Sequence, residues 1–220
     1  MYHSRGRERA GRSSPPFLSW WLVLTITGAI ATGCVMFASA PPEKVRLRPA
    51  PSRLPTQTVS GRTVIATPGP ISVAVRPLDP DEVERYFRRR STRVNPFQEF
   101  EEGITPFSLR IENRSEHQLT FDPGLAILRD NENRGSPAMD VAEFFEMFSD
   151  QPSLLQAAQR GVFTGYVVVP SNRNREGLLI FRPYAKDAKA LFLQFTSLYT
   201  GPTAYPLIFE FEVVPEQPGK

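Results

Sequence analysis

The chain is poor in cysteine and histidine, the two residue types that build most metal and nucleophile sites. Its 220 residues include one cysteine and two histidines, His3 and His117. A single cysteine excludes an internal disulfide, and so small a set excludes a Cys/His zinc centre or a paired-histidine copper or iron site. A Ser-His-Asp triad would need His117, but the sequence has no G-x-S-x-G elbow. We therefore predict no metal, no cofactor and no catalytic residue.

Charge is absent from a long stretch near the N-terminus. No charged residue occurs between Arg12 and Glu43, and the sequence from Phe17 to Phe37 is mostly apolar. Arginines precede this stretch, which is the order of an export signal whose basic end stays in the cytoplasm. The sequence predicts a signal peptide or membrane anchor over residues 1–33, with all later residues outside the cytoplasm.

The length and the small residues of this segment allow two outcomes, an uncleaved membrane anchor or a cleaved signal peptide. The stretch from Phe17 to Phe37 is long enough to span a bilayer as an uncleaved anchor. Cleavage after Ala38-Ser39-Ala40, an A-x-A site, would release a soluble form instead. Pro41 would then follow the cut directly, and its missing N–H and fixed φ make it unsuitable there.

A third outcome rests on a resemblance. The quartet Ala31-Thr32-Gly33-Cys34 is similar to the lipobox of bacterial lipoproteins, in which the cysteine is acylated and becomes the mature N-terminus. The resemblance implies that Cys34 is lipidated and anchors the chain. Val35 follows Cys34, where that family uses Asp for inner-membrane retention, so the resemblance implies an outer-membrane protein facing the periplasm.

The net charge of +3 conceals an uneven distribution. Residues 34–93 carry eleven Lys/Arg and five Asp/Glu, whereas residues 94–220 carry eleven and seventeen. The basic charge therefore lies near the predicted membrane segment, and the globular part is acidic. We expect no nucleic-acid partner. The expected partners are the membrane, through an N-terminal lipid or helix, and another protein of the cell envelope.

Proline and arginine dominate the segment after the apolar stretch. Five prolines interrupt any helix between Pro41 and Pro55, and basic side chains keep the segment solvated. This composition favours extended polyproline II structure. We predict a Pro-rich basic tether over residues 34–69.

Alternating apolar residues and frequent turns indicate the fold of the remainder. Period-two alternation begins at Ile71 and is clearest near the end, where Phe209, Phe211 and Val213 alternate with Glu210 and Glu212. Seven or eight such short strands, and no series of long helices, favour a β-sandwich or barrel over a parallel α/β fold. The prediction is a mainly β, antiparallel sandwich over residues 70–216.

Two helical segments are predicted within this β pattern. Asp79-Pro80-Asp81-Glu82 begins a short helix with a capping box, and arginines crowd its outer side. A helical insertion over residues 140–159 begins at Asp140 and carries an apolar stripe that includes Phe144 and Phe148. Such a stripe is typical of a helix face that packs in the core. The alternative interpretation is that the insertion is a lid or a docking surface.

One strand pair carries a second resemblance. Thr105-Pro106-Phe107-Ser108-Leu109-Arg110-Ile111-Glu112-Asn113-Arg114-Ser115, with Leu119-Thr120-Phe121 after it, resembles an immunoglobulin-like strand pair of bacterial envelope lipoproteins. The resemblance covers about Ile71 to Val214 and implies an immunoglobulin-like sandwich. It implies no catalytic residue.

Aromatic loops provide the candidate binding residues. Tyr199 and Tyr205 flank a Gly-Pro turn, which offers apolar area with a polar tip, as binding loops do. Phe144 and Phe148 are the second choice, should the helical insertion be a lid. The sequence thus favours a non-catalytic, membrane-anchored binding or assembly module of the bacterial envelope.

The alternative function is a hydrolase of cell-wall polymer that uses paired carboxylates. Glu99, Glu101, Glu102 and Asp122 are the candidates. Such an enzyme needs two carboxyl groups about 5 to 9.5 Å apart across a cleft. A convergent acidic cleft would favour the enzyme, and aromatic loop tips would favour binding.

Overall fold

The computed structural model describes residues 45–90 and 94–215, without the side chains of Glu101 and Glu102. This part of the chain is mainly antiparallel β-structure, with three sheets and three short helices. The predicted mainly β, antiparallel class is confirmed. The predicted signal peptide or membrane anchor, residues 1–33, and Cys34 lie outside the described residues. No helix within the described ranges is long and apolar enough to cross a membrane.

Fourteen strands occur in the described residues, and eight of them lie where the alternation predicts strands. In chain order they are β1 (Val45–Pro49), β2 (Gln57–Ser60), β3 (Thr63–Ala66), β4 (Ile71–Pro77), β5 (Thr105–Asn113), β6 (Leu119–Phe121), β7 (Ala126–Asp130), β8 (Gly135–Pro137), β9 (Val167–Val169), β10 (Arg173–Phe181), β11 (Ala190–Phe195), β12 (Leu198–Thr200), β13 (Thr203–Ala204) and β14 (Leu207–Pro215).

These strands pair in three sheets. The first sheet has the order β1-β14-β11-β7-β8, the second β10-β5-β4-β3-β2 and the third β13-β12-β6-β9. Chain neighbours β11 and β12 lie in the first and third sheets, with only Thr196 and Ser197 between them. The first sheet therefore leads directly into the third along the chain.

The inward side chains of all three sheets share one apolar core. Phe107 of the second sheet meets Phe211 of the first, with ring centroids 5.2 Å apart. Phe121 of the third sheet meets Phe195 of the first at the same distance. Offset ring pairs of this kind stabilise a core by about 0.5–1.5 kcal/mol beyond their buried area. The core is thus built from the alternation visible in the sequence.

Three helices pack on the opposite side of β10. They are α1 (Pro80–Arg89), α2 (Val141–Met147) and α3 (Pro152–Gly161). Asp79 and Asp140 begin α1 and α2 with capping boxes closed by Glu82 and Glu143, as the sequence predicts. A second apolar cluster joins all three helices to Leu178 and Ile180 of β10.

The structure corrects the predicted tether. Residues 45–66 form β1, β2 and β3, where the sequence predicted an extended linker to residue 69. β1 pairs with β14 over its whole length, and Leu47 lies in the main core. The prolines of this region occupy strand ends and the connection to β2, where a missing N–H costs no ladder hydrogen bond. Folded structure therefore begins at least 25 residues before the predicted boundary.

The polar stretch from Arg173 to Gly177 also belongs to a strand. It continues β10 and pairs with β5. Four of these residues are exposed, so this half of the strand has no apolar alternation. Its strand structure comes from the ladder with β5 rather than from burial.

Candidate functional site

The outer side of the first sheet carries an exposed apolar surface. Leu54, Leu125 and Ile208 are each about half exposed, at 51, 51 and 50%. Ile127 and Phe192 lie between them and are half-buried. We call these five residues the outer apolar face. Scattered single apolar residues are normal on protein surfaces, whereas a contiguous group marks an interaction site.

The strand register brings these side chains together. Gln194 of β11 pairs with Ile208 of β14 on one side and with Ile127 of β7 on the other. Directly opposed residues in a sheet have Cβ atoms about 5 Å apart on the same face. Phe192 lies two residues along β11 from Gln194, so its ring stands on the same side. Three strands therefore contribute to one surface.

Two shallow grooves flank the outer apolar face. The first has a volume of about 290 Å³ and is lined by the connection after β1 together with Phe192 and Ile208. The second has a volume of about 300 Å³ and is lined by Leu125, Ile127 and the edge strand β8. Both grooves are open, so the surface fits a macromolecular contact better than an enclosed small ligand.

The same side of the molecule continues into the third sheet. The alternation slips by one residue between Ser197 and Leu198, which are both buried. Tyr199 therefore faces outward like Gln194, and it is 39% exposed. It pairs with Thr120, which pairs in turn with Val168 of β9. Tyr166, which immediately precedes β9, is 66% exposed.

Tyr199 and Tyr205 have different environments. Tyr205 is half-buried against the main core, and its hydroxyl accepts a hydrogen bond from Thr200 Oγ1 at 3.3 Å. A Cβ on Gly69 would lie 3.7 Å from its ring. Tyr205 thus has one side packed against the fold, so less of its ring is available to a partner than that of Tyr199. Tyr199 remains an exposed candidate.

Phe144 and Phe148 are core residues. They are 0 and 1% exposed, and their rings stack with centroids 6.4 Å apart. Phe97 contacts both rings at 5.8 Å. The apolar stripe of the helical insertion is therefore internal, which removes both residues from the candidate binding surface.

Three of the hydrolase candidates, Glu99, Glu101 and Glu102, lie in one 3₁₀ turn, and Asp122 begins another. Glu99 belongs to a short 3₁₀ turn, Gln98–Gly103, and is exposed. The carboxylate of Asp122 accepts a hydrogen bond from Gly124 N at 3.0 Å, which caps the 3₁₀ turn before β7. Among the described side chains, no group of three or more His, Cys, Asp or Glu residues is arranged to hold a metal ion.

The strongest charge cluster stabilises a turn. Arg134 donates to Asp130 Oδ2 at 2.6 Å and to Asp187 Oδ1 at 2.8 Å. The hydrogen bond from Arg134 lowers the pKa of Asp187. Burial acts to raise the pKa of Asp130, but its hydrogen bonds from Arg134 and Glu132 lower it overall. The cluster fixes the connection between β7 and β8.

A second cluster joins β3 to α1. Arg62, in the turn between β2 and β3, bonds to Asp79 and Glu82 at 2.5–2.8 Å. Burial acts to lower the pKa of Arg62, but Asp79 and Glu82 raise it overall. Both terminal nitrogens of Arg62 bond to these carboxylates, so the cluster holds the helix in place, while the buried Nε of Arg62 has no hydrogen-bond partner among the described residues.

Sequence reasoning missed the outer apolar face. Its members come from four separate segments, and each one reads as an ordinary strand or loop residue. Only the pairing of β7, β11 and β14 shows that they share a surface. The usable signal was weak: Ile208 and Phe192 occupy positions that a half-buried strand normally gives to polar residues.

Comparisons with known proteins give limited similarity. No protein-family model and no curated protein matches the sequence. Among solved structures, the chain is similar to the yjhA protein from Bacillus subtilis, with 9% identity and a TM-score of 0.32 over 66% of this chain and 79% of that one. It is also similar to the structural-genomics target SoR45, with 13% identity and a TM-score of 0.35 over 68% and 89%. At these TM-scores the likeness carries no conclusion about fold or function.

Proposed function

We propose that this protein is a non-catalytic, membrane-anchored binding module of the bacterial cell envelope, and that it binds a partner protein through the outer apolar face. The observation that carries the proposal is the exposure of Leu54, Leu125 and Ile208 on one side of the first sheet. Grouped apolar side chains on an exposed sheet face lose contact with water when a partner covers them, which favours association by about 25 cal/mol per Å².

The composition of the surface around this face also supports protein binding. Glu210 and Arg129 flank Phe192 on the neighbouring strands, so a charged side chain stands on each side of an aromatic ring. Gln194 also stands between Ile208 and Ile127, so polar and apolar side chains alternate across this face. Non-obligate protein interfaces are likewise mixed, being about as apolar as the rest of a protein surface. Tyr199 extends the surface with an amphipathic ring, which binds a partner at low entropic cost.

The fold we propose is an immunoglobulin-like sandwich. The support is the single core shared by three antiparallel sheets, with helices confined to one side. In such a scaffold the outer sheet faces are rigid, so a surface built on them is presented in one fixed shape.

Site-specific photocrosslinking in intact cells tests the binding proposal. A photoreactive residue replaces Ile208 in one strain and Leu125 in a second, and Phe145 in a control strain. Phe145 is 52% exposed but lies on α2, among the helices that pack on β10. We expect a discrete higher-mass adduct from positions 208 and 125 and none from position 145. Absence of an adduct at 208 and 125, or an equal adduct at all three, would contradict the proposal.

Metabolic labelling with a fatty acid tests the anchor separately. We expect label on the wild-type protein and none on Cys34→Ser, because acylation needs the thiol of Cys34. Equal labelling and equal mobility of the two proteins would instead favour the uncleaved signal anchor.

A further inference from the structure

Arginines are concentrated on the exposed side of α1. Val83 and Phe87 face the second apolar cluster and are buried, which turns Arg85, Arg88 and Arg89 to solvent. Arg88 bonds to Glu84 on the preceding turn. Within the described part of the chain, Arg85 and Arg89 have no carboxylate partner. They lie at i and i+4, where two like charges repel each other and destabilise a helix.

Contacts at the end of α1 bring further arginines to this region. The hydroxyl of Tyr86 donates to the carbonyl of Gly161 at 2.8 Å, so α1 and α3 end side by side. A Cβ on Gly161 would lie 2.4 Å from the ring of Phe87, and only glycine permits this approach. Arg160, the residue before Gly161, is exposed. The ends of two helices therefore each present arginine.

Arg90 connects the same region to the exposed half of β10. Its Nη2 donates to the carbonyl of Glu176 at 3.0 Å, and its guanidinium lies over the ring of Tyr86, 4.6 Å from the centroid. Arg175, next to Glu176, pairs with Ile111 and therefore lies on the opposite face of β10, outside this region. We call Arg85, Arg88, Arg89 and Arg160 the arginine surface.

The charge of this surface is local rather than a property of the whole fold. The described residues carry nearly equal numbers of basic and acidic side chains. Glu84 and Glu176 are engaged by Arg88 and Arg90, and Asp81, one turn before Arg85, is the other exposed carboxylate of α1, so positive charge remains in excess. An excess of positive charge on one side of a nearly neutral body orients that body toward an anionic surface.

We propose that the arginine surface binds the phosphate groups of an anionic phospholipid bilayer and holds the domain against the membrane. The proposal rests on the proposed membrane anchor, which would keep the domain near lipid. Guanidinium groups match phosphate oxygens in geometry and charge. The arginines come from two helices and stand outward rather than around a common pocket, so they fit many headgroups in a plane better than one free phosphate.

An arginine-modification footprint of the full chain tests this proposal. Phenylglyoxal reacts with accessible guanidinium groups, and mass spectrometry reports the rate at each arginine. The chain is reconstituted on vesicles of phosphatidylcholine alone or with phosphatidylglycerol. On the anionic vesicles we expect modification of Arg85 and Arg89 to be about fivefold slower, the gain expected for one arginine at an anionic leaflet. High salt should remove this protection.

Arg53 is the internal control, because it is exposed but lies in the connection between β1 and β2. Its modification rate should be the same on both vesicles. The variant Arg85→Glu/Arg89→Glu should lose the protection of Arg160, whereas Arg53→Glu should keep it. Equal rates at Arg85 and Arg89 on both vesicles, or equal protection by inorganic phosphate without vesicles, would overturn the proposal.

Flotation of the protein with vesicles distinguishes failure of this inference from failure of the proposed membrane anchor. A chain that floats with both kinds of vesicle but shows no arginine protection is anchored and lacks the proposed lipid contact, which overturns this inference alone. A chain that floats with neither kind is not anchored, which overturns both proposals.

Discussion

At the scale of the residue, burial decides which aromatic side chains hold the fold and which can bind. Phe144 is fully buried, and its neighbour Phe145 is 52% exposed. Helical periodicity predicted the apolar stripe that includes Phe144, and the capping box predicted where the helix starts. The sequence could not separate Tyr199 from Tyr205, because the difference arises from the packing of a turn against distant residues.

Phe144→Ala tests this division directly. Deleting a buried phenylalanine ring removes its transfer energy and leaves a cavity, so we expect a loss of about 3–5 kcal/mol in the free energy of unfolding. Phe145→Ala is the matched control and should change it by less than about 0.5 kcal/mol, as surface substitutions do. Urea denaturation monitored by circular dichroism measures both, and similar losses in the two variants would contradict the assignment.

At the scale of the element, pairing across the sheets decides what local sequence leaves open. The regular alternation of β4, β5 and β14 made these strands predictable. β1 was hidden because prolines and arginines surround Leu47, its one residue in the main core. The exposed half of β10 was hidden for a similar reason, since its ladder with β5 supplies the structure.

The turn between β7 and β8 gives this protein a specific dependence on pH. The hydrogen bond from Arg134 holds the pKa of Asp187 below its usual range. Burial acts to raise the pKa of Asp130, but hydrogen bonds from Arg134 hold this pKa below its usual range as well. A carboxylate whose pKa is lower in the folded state stabilises the fold at neutral pH. That stabilisation is lost as the pH falls below about 4, the range in which such groups take up protons.

Arg134→Gln should therefore reduce the acid sensitivity of the fold. Urea denaturation at pH 7 and at pH 3 measures the free energy of unfolding at each. We expect a smaller difference between the two pH values in Arg134→Gln than in the wild type. Arg53→Gln is the control, since Arg53 is exposed in a connection, and it should keep the wild-type difference. If Arg134→Gln keeps the wild-type difference in the free energy of unfolding between pH 7 and pH 3, this turn does not contribute to the acid sensitivity of the fold.

At the scale of the whole molecule, the candidate site is a product of topology. Leu125, Phe192 and Ile208 are far apart in sequence, and the register of three strands brings them to one side of the first sheet. Alternation predicted which residues of each strand face outward, but not which strands are neighbours. The antiparallel β class was therefore predictable from the sequence, and the outer apolar face was not.

The most direct test of the central claim places a photoreactive residue at position 125 and adds Ile208→Asp to the same chain. A charge at an exposed position should leave the free energy of unfolding within about 0.5 kcal/mol of the parent. We predict that the crosslinked adduct from position 125 disappears while the fold keeps its stability. An adduct of undiminished yield from that stable double variant would contradict the claim that the outer apolar face binds the partner.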